Sequence, residues 1–290
     1  MDSKNEINRV ARTLPSSPFL GIYIRLHPTE IRMMTNIFRN IFGKPVSPLT
    51  VPPVENLLEN LNEPFRSTLI SMYKGEKQKG ADGQLYPLEE FTRISPGQGM
   101  WLYEFCLAKK PISIIEIGLA YGFSTLFFLA AITKNQMGYL TATDPYQTRA
   151  WKGIGHVHAT THAPQWGEKS AFEFYEDSSN RVAVDMARQN RTFDLIFIDG
   201  NHLFDAALVD FYMYAPLCKK GGYLIFDDMW MSSIQSVIHF IRKNRNDFEE
   251  VPATPSNIAV FQKVNYDQRR WDHFIKFPVG KTSTPPTKGK

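Results

Sequence analysis

Short apolar runs alternate with longer amphipathic stretches over most of the chain after residue 94. Runs that are apolar on consecutive positions predict buried strands, because a strand covered by helices on both faces needs apolar side chains on both sides. Such runs occupy residues 112–117, 139–143, 193–198, 223–226 and 258–264, and helical patterns occupy 96–109, 123–134, 179–189, 204–217 and 232–245. The alternation predicts an α/β fold with a Rossmann-like, doubly wound and mainly parallel sheet.

The residues before 94 follow a different pattern. Helical periodicity at 28–42 and 56–73 is followed by a polar loop at 74–85. We expect these residues to form a helical cap, through which a homo-oligomer can assemble. The sequence thus divides into a helical N-terminal extension or cap at 1–93, a core domain at 94–279 and a polar tail, predicted to be disordered, at 280–290.

Composition narrows the class of protein. The net charge is +4 and the basic residues are scattered, which does not favour a nucleic-acid partner. Residues 113–132 are long enough to span a bilayer, but the cost of burying Glu116 in lipid argues against a membrane span. We find no secretory signal and expect a cytoplasmic protein in which Cys106 and Cys218 are reduced.

The first candidate site is a glycine-containing turn between the strand at 112–117 and the next helix. Glu116, Gly118, Gly122 and Ser124 form the pattern Glu-x-Gly-x-x-x-Gly-x-Ser. Glycines allow a ligand to approach the backbone closely, and the N-terminus of the following helix offers free N–H groups. The pattern lacks the middle glycine of the dinucleotide fingerprint, so it does not favour a dinucleotide. A tight turn without a ligand is the alternative.

Polar residues also follow the next two strands. Asp144 ends the strand at 139–143, where its carboxylate can accept hydrogen bonds from both hydroxyls of a ribose. Asp177 and Ser178 follow a strand expected to end at residue 175, where a side chain can meet an adenine amino group. Capping of the next helix is their alternative role.

The strongest constellation joins Asp199 and His202, after one strand, to Asp227 and Asp228, after another. Ligands collect beyond the carboxyl ends of parallel strands, so we expect the three carboxylates to converge at the edge of the cofactor. Crowded carboxylates repel one another, and a divalent cation such as Mg²⁺ relieves that repulsion. His202 is then suited to act as general base toward a hydroxyl held at the cation. Alternatively, the aspartates only cap helices and His202 is a surface residue.

Two further groups of side chains are weaker candidates. His156, His158 and His162 are expected to lie in a loop, whereas zinc sites use rigid ligands, so we interpret this segment as a substrate-covering loop. Trp230, two residues after Asp228, is a candidate for the wall of an acceptor pocket, with simple packing as the alternative.

Taken in order, these motifs resemble those of class I S-adenosylmethionine-dependent methyltransferases, and among them the macrocin- and mycinamicin-type sugar O-methyltransferases. The resemblance runs from about residue 94 to 264 and rests on Glu-x-Gly-x-x-x-Gly-x-Ser at 116–124, Asp-Pro-Tyr-Gln at 144–147, Phe-Asp-Leu-Ile-Phe-Ile-Asp-Gly-x-His at 193–202 and Gly-Gly-x-x-x-x-Asp-Asp-x-Trp at 221–230. It implies that Gly118 and Ser124 flank the methionine part of the cofactor. It also implies that Asp144 holds the ribose and that Asp177 or Ser178 lies near the adenine.

The cation site is also similar to that of catechol O-methyltransferase, in which an Asp and an Asp-Asn pair bind Mg²⁺. Those places fall on Asp199, Asp227 and Asp228, and the Asp in place of Asn makes the site more anionic. The lysine base of that enzyme falls on His202, where the macrolide-sugar group is expected to have a histidine.

The sequence thus predicts an S-adenosylmethionine-dependent methyltransferase that modifies a hydroxyl of a small molecule or sugar, helped by Mg²⁺ or another divalent cation. A metal-independent small-molecule methyltransferase and a non-catalytic cofactor-binding scaffold are the alternatives. The presence of His202 together with all three carboxylates favours catalysis over a scaffold.

Overall fold

The structure is a computed structural model that describes residues 52–89 and 92–277. The helix predicted at 28–42 and the tail at 280–290 lie outside these residues. In chain order the helices are α1 (Val54–Leu57), α2 (Phe65–Tyr73), α3 (Pro96–Lys109), α4 (Phe123–Asn135), α5 (Ile154–His162), α6 (Ser179–Arg188), α7 (Phe204–Tyr214) and α8 (Ser232–Asn244), and a 3₁₀ turn (Ala215–Leu217) follows α7.

A seven-stranded sheet forms the centre of the fold. The strands are β1 (Gln78–Lys79), β2 (Leu85–Tyr86), β3 (Ser113–Ile117), β4 (Tyr139–Thr143), β5 (Gln165–Trp166), β6 (Lys169–Ser170), β7 (Phe172–Tyr175), β8 (Phe193–Ile198), β9 (Cys218–Phe226), β10 (Phe248–Val251) and β11 (Ala259–Lys263). The central sheet has the order β10-β11-β9-β8-β3-β4-β7. Strand β11 runs opposite to the other six strands, which all point in the same direction. The predicted doubly wound, mainly parallel sheet is confirmed.

The helices cover both faces of this sheet, and successive strand residues serve opposite faces. In β3, Ile114 packs with α3, α4 and α5, whereas Ile115 packs with α6, α7 and α8. This explains why the strands are apolar on consecutive positions. None of the helices in the described part of the chain combines the length and apolar character that crossing a bilayer requires.

The residues just before the core belong to the same apolar cluster as α4. Phe65, Leu69 and Met72 of α2 are buried in it together with side chains of α3. Helix α3 begins at a capping box, because the Ser95 hydroxyl accepts from the backbone N–H of Gln98 and the Gln98 side chain accepts from the backbone N–H of Ser95.

Several local predictions were wrong. The helical region predicted at 56–73 holds the end of α1 and all of α2, whereas the segment predicted as a loop at 74–85 includes β1 and the first residue of β2. The segment with His156, His158 and His162 is the helix α5, not a loop. Its polar composition hid the helix, which packs Ile154 and Ala159 in the apolar cluster. Strand β10 was missed, since only one of its four residues is buried.

The turn after β3 is the tightest backbone junction of the core. Gly118 has φ +97°, and a Cβ there would lie 2.2 Å from the carbonyl oxygen of Asp199. Gly122, with φ +84°, precedes α4 and lies against Gly155 at the start of α5. Glycine is therefore required at 118 for two reasons, the left-handed backbone and the space.

The buried side chain of Glu116 stabilises this turn from within the core. Its side chain is fully buried and accepts hydrogen bonds from the hydroxyls of Ser124 and Thr125, in the first turn of α4. Burial raises the pKa of Glu116 to about 8, against an ordinary value of 4.5, and the two hydroxyls act in the opposite direction.

We expect Gly118→Ala to lower the unfolding temperature far more than Gly221→Ala. Both glycines have positive φ, but a Cβ at Gly221 has no neighbour within 4 Å. Gly221→Ala therefore measures the backbone cost alone, roughly 1–2 kcal/mol. Gly118→Ala adds a clash with backbone, which side-chain motion cannot relieve. Equal losses in the two variants, measured by calorimetry, would contradict the close packing on Asp199.

We also expect the stability of the wild-type protein to fall, relative to Glu116→Gln, as the pH rises from about 4.5 to about 8. In this range the folded protein keeps the proton of Glu116 and the unfolded chain has lost it, so raising the pH favours unfolding. The change is on the order of a few kcal/mol. Denaturant unfolding at a series of pH values measures it, with Glu249→Gln, an exposed residue of β10, as the control. A pH-independent difference would refute the raised pKa.

Candidate active site

The strands β7, β4, β3, β8 and β9 end in register, and this aligns the residues that follow them. Ile117 is paired with Thr143 on one side and with Ile198 on the other, and Ile198 is paired with Phe226. The next residues along these four strands are Asp144, Gly118, Asp199 and Asp227, in that order across the sheet. The backbone ladder continues through them, with N–H donors of Gly118, Asp199 and Asp227 bonded to the neighbouring strand at 2.9–3.2 Å. One edge of the sheet therefore carries all four residues.

Asp199, His202 and Asp228 form the centre of this edge. The Nε2 atom of His202 lies 2.8 Å from Oδ2 of Asp228 and 3.4 Å from Oδ1 of Asp199. Potential ligand atoms of these three residues all lie within 4.8 Å of one another, and in the described residues they form the only such group. The predicted convergence of Asp199, His202 and Asp228 is thus present in the structure.

His202 sits between two negative charges. Asp199 and Asp228 raise its pKa to about 10, so without a cation the imidazole is protonated at neutral pH and balances part of their charge. Its Nε2 atom is nevertheless buried and has no partner with hydrogen-bond geometry. The ring therefore faces the carboxylates without being tied to either one.

Asp227 lies beside this group but is held differently. It is 4% exposed, and its Oδ1 accepts from Gln98 Nε2 at 2.9 Å, Asn257 Nδ2 at 3.0 Å and the backbone N–H of Asp228 at 2.7 Å. Burial, and then the charges of Asp199 and Asp228, raise the pKa of Asp227. Asp227, predicted as a cation ligand, is outside the group of converging ligand atoms, and these donors hold one of its oxygens.

Asp228 is fixed in a backbone conformation that is unusual for its type. Its φ is +57°, a left-handed value that L residues rarely adopt and that occurs at functional sites. Oδ1 accepts from the indole N–H of Trp230 at 2.7 Å, and this leaves Oδ2 to face His202. Although burial acts to raise it, the close approach of His202 and the hydrogen bond from Trp230 hold the pKa of Asp228 below its ordinary value. Trp230 itself is 63% exposed, so its ring borders the site rather than the core.

Asp144, which follows β4, forms a hydrogen bond with the glycine turn. Its Oδ2 accepts from the backbone N–H of Ala120 and its Oδ1 from that of Tyr146, both at 2.8 Å. Each oxygen keeps a lone pair for a further donor. Burial raises the pKa of Asp144.

The remaining predicted cofactor residues are bonded within the protein. The hydroxyl of Ser124 donates to Glu116, so it points into the core rather than toward the edge of the sheet. Asp177 and Ser178 follow β7 and both contact Arg181, at 2.9 Å for Asp177 Oδ1 and 3.0 Å for Ser178 Oγ. Ser178 is the N-cap residue of α6, but its side chain makes no capping bond.

The histidines of α5 are not part of this group of ligand atoms. His162 bonds to the carbonyl of His158 through Nδ1 at 2.9 Å and to the hydroxyl of Thr68 through Nε2 at 2.8 Å. Burial lowers the pKa of both histidines, that of His158 to about 4. His162 thus joins α5 to α2 through its hydrogen bond to Thr68.

Two residues of the site were not predicted from the sequence patterns. Gln98 belongs to the first turn of α3 and Asn257 to the connection between β10 and β11, so each is remote in sequence from Asp227. The Ser95-x-x-Gln98 capping box was the one available signal for Gln98, and it indicates a helix start rather than a site. Nothing local marks Asn257.

The donor set fits a divalent cation. The carboxylates of Asp199 and Asp228 supply oxygen ligands of the kind that divalent metals prefer, and the buried Nε2 of His202 lies beside them without a bonded partner. A cation would also offset the repulsion among the carboxylates.

Known proteins share this domain and this fold. Residues 115–229 match the family described as methyltransferase domain. The fold is similar to the O-methyltransferase TomG from Streptomyces achromogenes in complex with SAM, with a TM-score of 0.50 and 15% identity over 83% of this chain and 100% of that chain. It is also similar to the SAH-bound Podospora anserina methyltransferase PaMTH1, with a TM-score of 0.50 and 11% identity over 84% of this chain and 99% of that chain. Identities this low show the fold alone.

A curated relative matches at the level of sequence. An uncharacterized protein of Sinorhizobium fredii is 26% identical over an alignment of 145 residues that covers 45% of this chain. The chain spans 14% of the length of that relative. The matched domain contains the glycine turn, Asp144, Asp199, His202 and the Asp227-Asp228 pair, and the strand order agrees with it. Residues 115–229 therefore form a methyltransferase domain with the class I fold, and the sheet of this fold extends beyond the matched residues.

Proposed function

We propose that the protein transfers the methyl group of S-adenosylmethionine to a hydroxyl of a small molecule or sugar, and that a divalent cation assists the transfer. The observation that carries this proposal is the convergence of Asp199, His202 and Asp228 within 4.8 Å, directly beside the Gly118 turn. A methyl donor bound at the turn and an acceptor bound at the carboxylates would be neighbours.

The cofactor is proposed to lie along the ends of β3 and β4. Gly118 allows close approach at the turn, and the N-terminus of α4 after Gly122 offers unpaired N–H groups to a carboxylate. Asp144 keeps one lone pair on each oxygen for the ribose hydroxyls, and Asp177 and Ser178 follow the next strand, where the adenine is expected. Glu116 and Ser124 act from within the core by fixing the turn and the first turn of α4.

The cation is proposed to bind Asp199 and Asp228, with Asp227 beside them as a third negative charge. Mg²⁺ or another divalent ion would supply positive charge that makes the acceptor hydroxyl more acidic. His202 is assigned the role of base at Nε2, the buried atom that faces both carboxylates. It takes the hydroxyl proton as the oxygen attacks the methyl carbon and the bond from that carbon to sulfur breaks.

The acceptor is proposed to lie against Trp230. The indole ring is exposed while its N–H is bonded to Asp228, so an apolar face is presented beside the charged centre. Leu203 and Phe204, which directly follow His202, are also exposed and add apolar surface at the same edge. A ring that carries hydroxyl groups can use both kinds of surface.

Binding and transfer assays separate this proposal from its alternatives. We expect calorimetry to detect binding of S-adenosylmethionine, and labelled cofactor to methylate at least one compound in a panel of sugars and phenols. EDTA is expected to stop transfer and Mg²⁺ to restore it. Transfer that persists in EDTA supports the metal-independent enzyme. Binding of S-adenosylmethionine without methyl transfer to any compound of the panel supports the scaffold. Absence of cofactor binding would overturn the proposal altogether.

We expect His202→Ala to lower kcat by at least about 100-fold, in the range that loss of a general base produces. The affinity for S-adenosylmethionine, measured by calorimetry, should change little, because Asp144 and the Gly118 turn are unaltered. His273→Ala, in an exposed segment, serves as the control. A His202→Ala enzyme with nearly unchanged kcat would remove His202 from the chemistry.

A further inference from the structure

The site carboxylates of β9 have one oxygen each held by side chains. Oδ1 of Asp227 accepts from Gln98 and Asn257, at 2.9 and 3.0 Å. Oδ1 of Asp228 accepts from Trp230 at 2.7 Å and from the same Asn257 amide at 3.4 Å. Oδ2 of Asp228 points instead to His202. The held and the open oxygen of the carboxylate are thus distinct.

Asn257 is oriented by its other contacts. Its side-chain Oδ1 accepts from the backbone N–H of Trp230 at 3.3 Å, and its carbonyl accepts from the backbone N–H of Met229 at 2.9 Å. The amide oxygen therefore faces a donor, and both hydrogens of Nδ2 are left for Asp227 and Asp228. A single amide group bridges the two adjacent aspartates.

Gln98 is oriented in the same way. Its Oε1 accepts from the backbone N–H of Ser95 at 3.1 Å and from the Ser95 hydroxyl at 2.9 Å. The capping box of α3 thereby fixes which end of the amide meets Asp227, and that end is the donor Nε2.

We propose that Gln98 and Asn257 act as an amide clamp, a pair of positioning residues that hold one oxygen each of Asp227 and Asp228 and thereby orient the two carboxylates beside a divalent cation. The inference rests on the proposed function, in which these carboxylates face the cation. Both residues lie outside the matched domain at 115–229. Donors on the outer oxygens offset negative charge without competing for the open oxygens, and they stop the carboxylates from rotating.

The clamp is tested with Mn²⁺, whose free concentration is read by electron paramagnetic resonance, on the full chain. Asn257→Ala removes both bridging hydrogen bonds. Gln98→Glu keeps the capping box, because Glu is equally suited to that position, but replaces the donor to Asp227 with an oxygen. Gln262→Ala is the matched control, since its amide bonds a backbone carbonyl, that of Gly221, on the outer part of β11.

We expect Asn257→Ala and Gln98→Glu each to weaken Mn²⁺ binding by about 10- to 100-fold, the usual cost of losing a residue that orients a ligand. The affinity for S-adenosylmethionine should stay within about twofold, and Gln262→Ala should bind both as the wild type does. If Asn257→Ala does not fold, Gln98→Glu decides, since its helix start is intact.

The outcomes are distinguishable. Wild-type Mn²⁺ affinity in a folded Asn257→Ala or in Gln98→Glu overturns the clamp and leaves the proposed function standing. A wild-type protein that binds S-adenosylmethionine but no Mn²⁺ overturns the cation site, and the clamp with it. Parallel losses of Mn²⁺ affinity, cofactor affinity and unfolding temperature would assign both residues a merely structural role.

Discussion

The crowding of negative charge at one edge of the sheet is the constraint that shapes this structure. Asp199, Asp227 and Asp228 follow two neighbouring strands, and buried carboxylates are stable only when donors or opposite charges meet them. His202 lies between Asp199 and Asp228, and Asp228 also accepts from Trp230. Asp227 accepts from the side-chain amides of Gln98 and Asn257. The unusual backbone of Asp228 is tolerated here because these contacts hold it.

The parallel sheet brings the residues of the site together at one edge. Because neighbouring strands end in register, one residue after each strand is enough to align Asp144, Gly118, Asp199 and Asp227. The close contact between Gly118 and the carbonyl of Asp199 then brings the turn against the carboxylates without any intervening side chain. The topological switch of the sheet, where β3 meets β8, falls between these two residues.

The features of the fold and of the site that depend on local sequence patterns could be predicted from the sequence. Consecutive apolar residues revealed the strands, and polar residues at their ends revealed Asp199, His202 and Asp228. Contacts between residues that are distant in sequence could not be predicted in this way. The donors to Asp227 come from 129 and 30 residues away, and no periodicity encodes such a pairing. Helix α5 was missed because its histidines and threonines resemble a polar loop, although tertiary packing buries one side of it.

The position of Asn257 also bears on the order in which the site matures during synthesis. The carboxylates of β9 leave the ribosome about thirty residues before Asn257, which lies in the connection between β10 and β11. Until that hairpin has formed and β11 has paired with β9, Asp227 and Asp228 lack their shared donor. In the nascent chain, the acidic centre therefore acquires all of these hydrogen bonds only after β10 and β11 have been synthesised and paired.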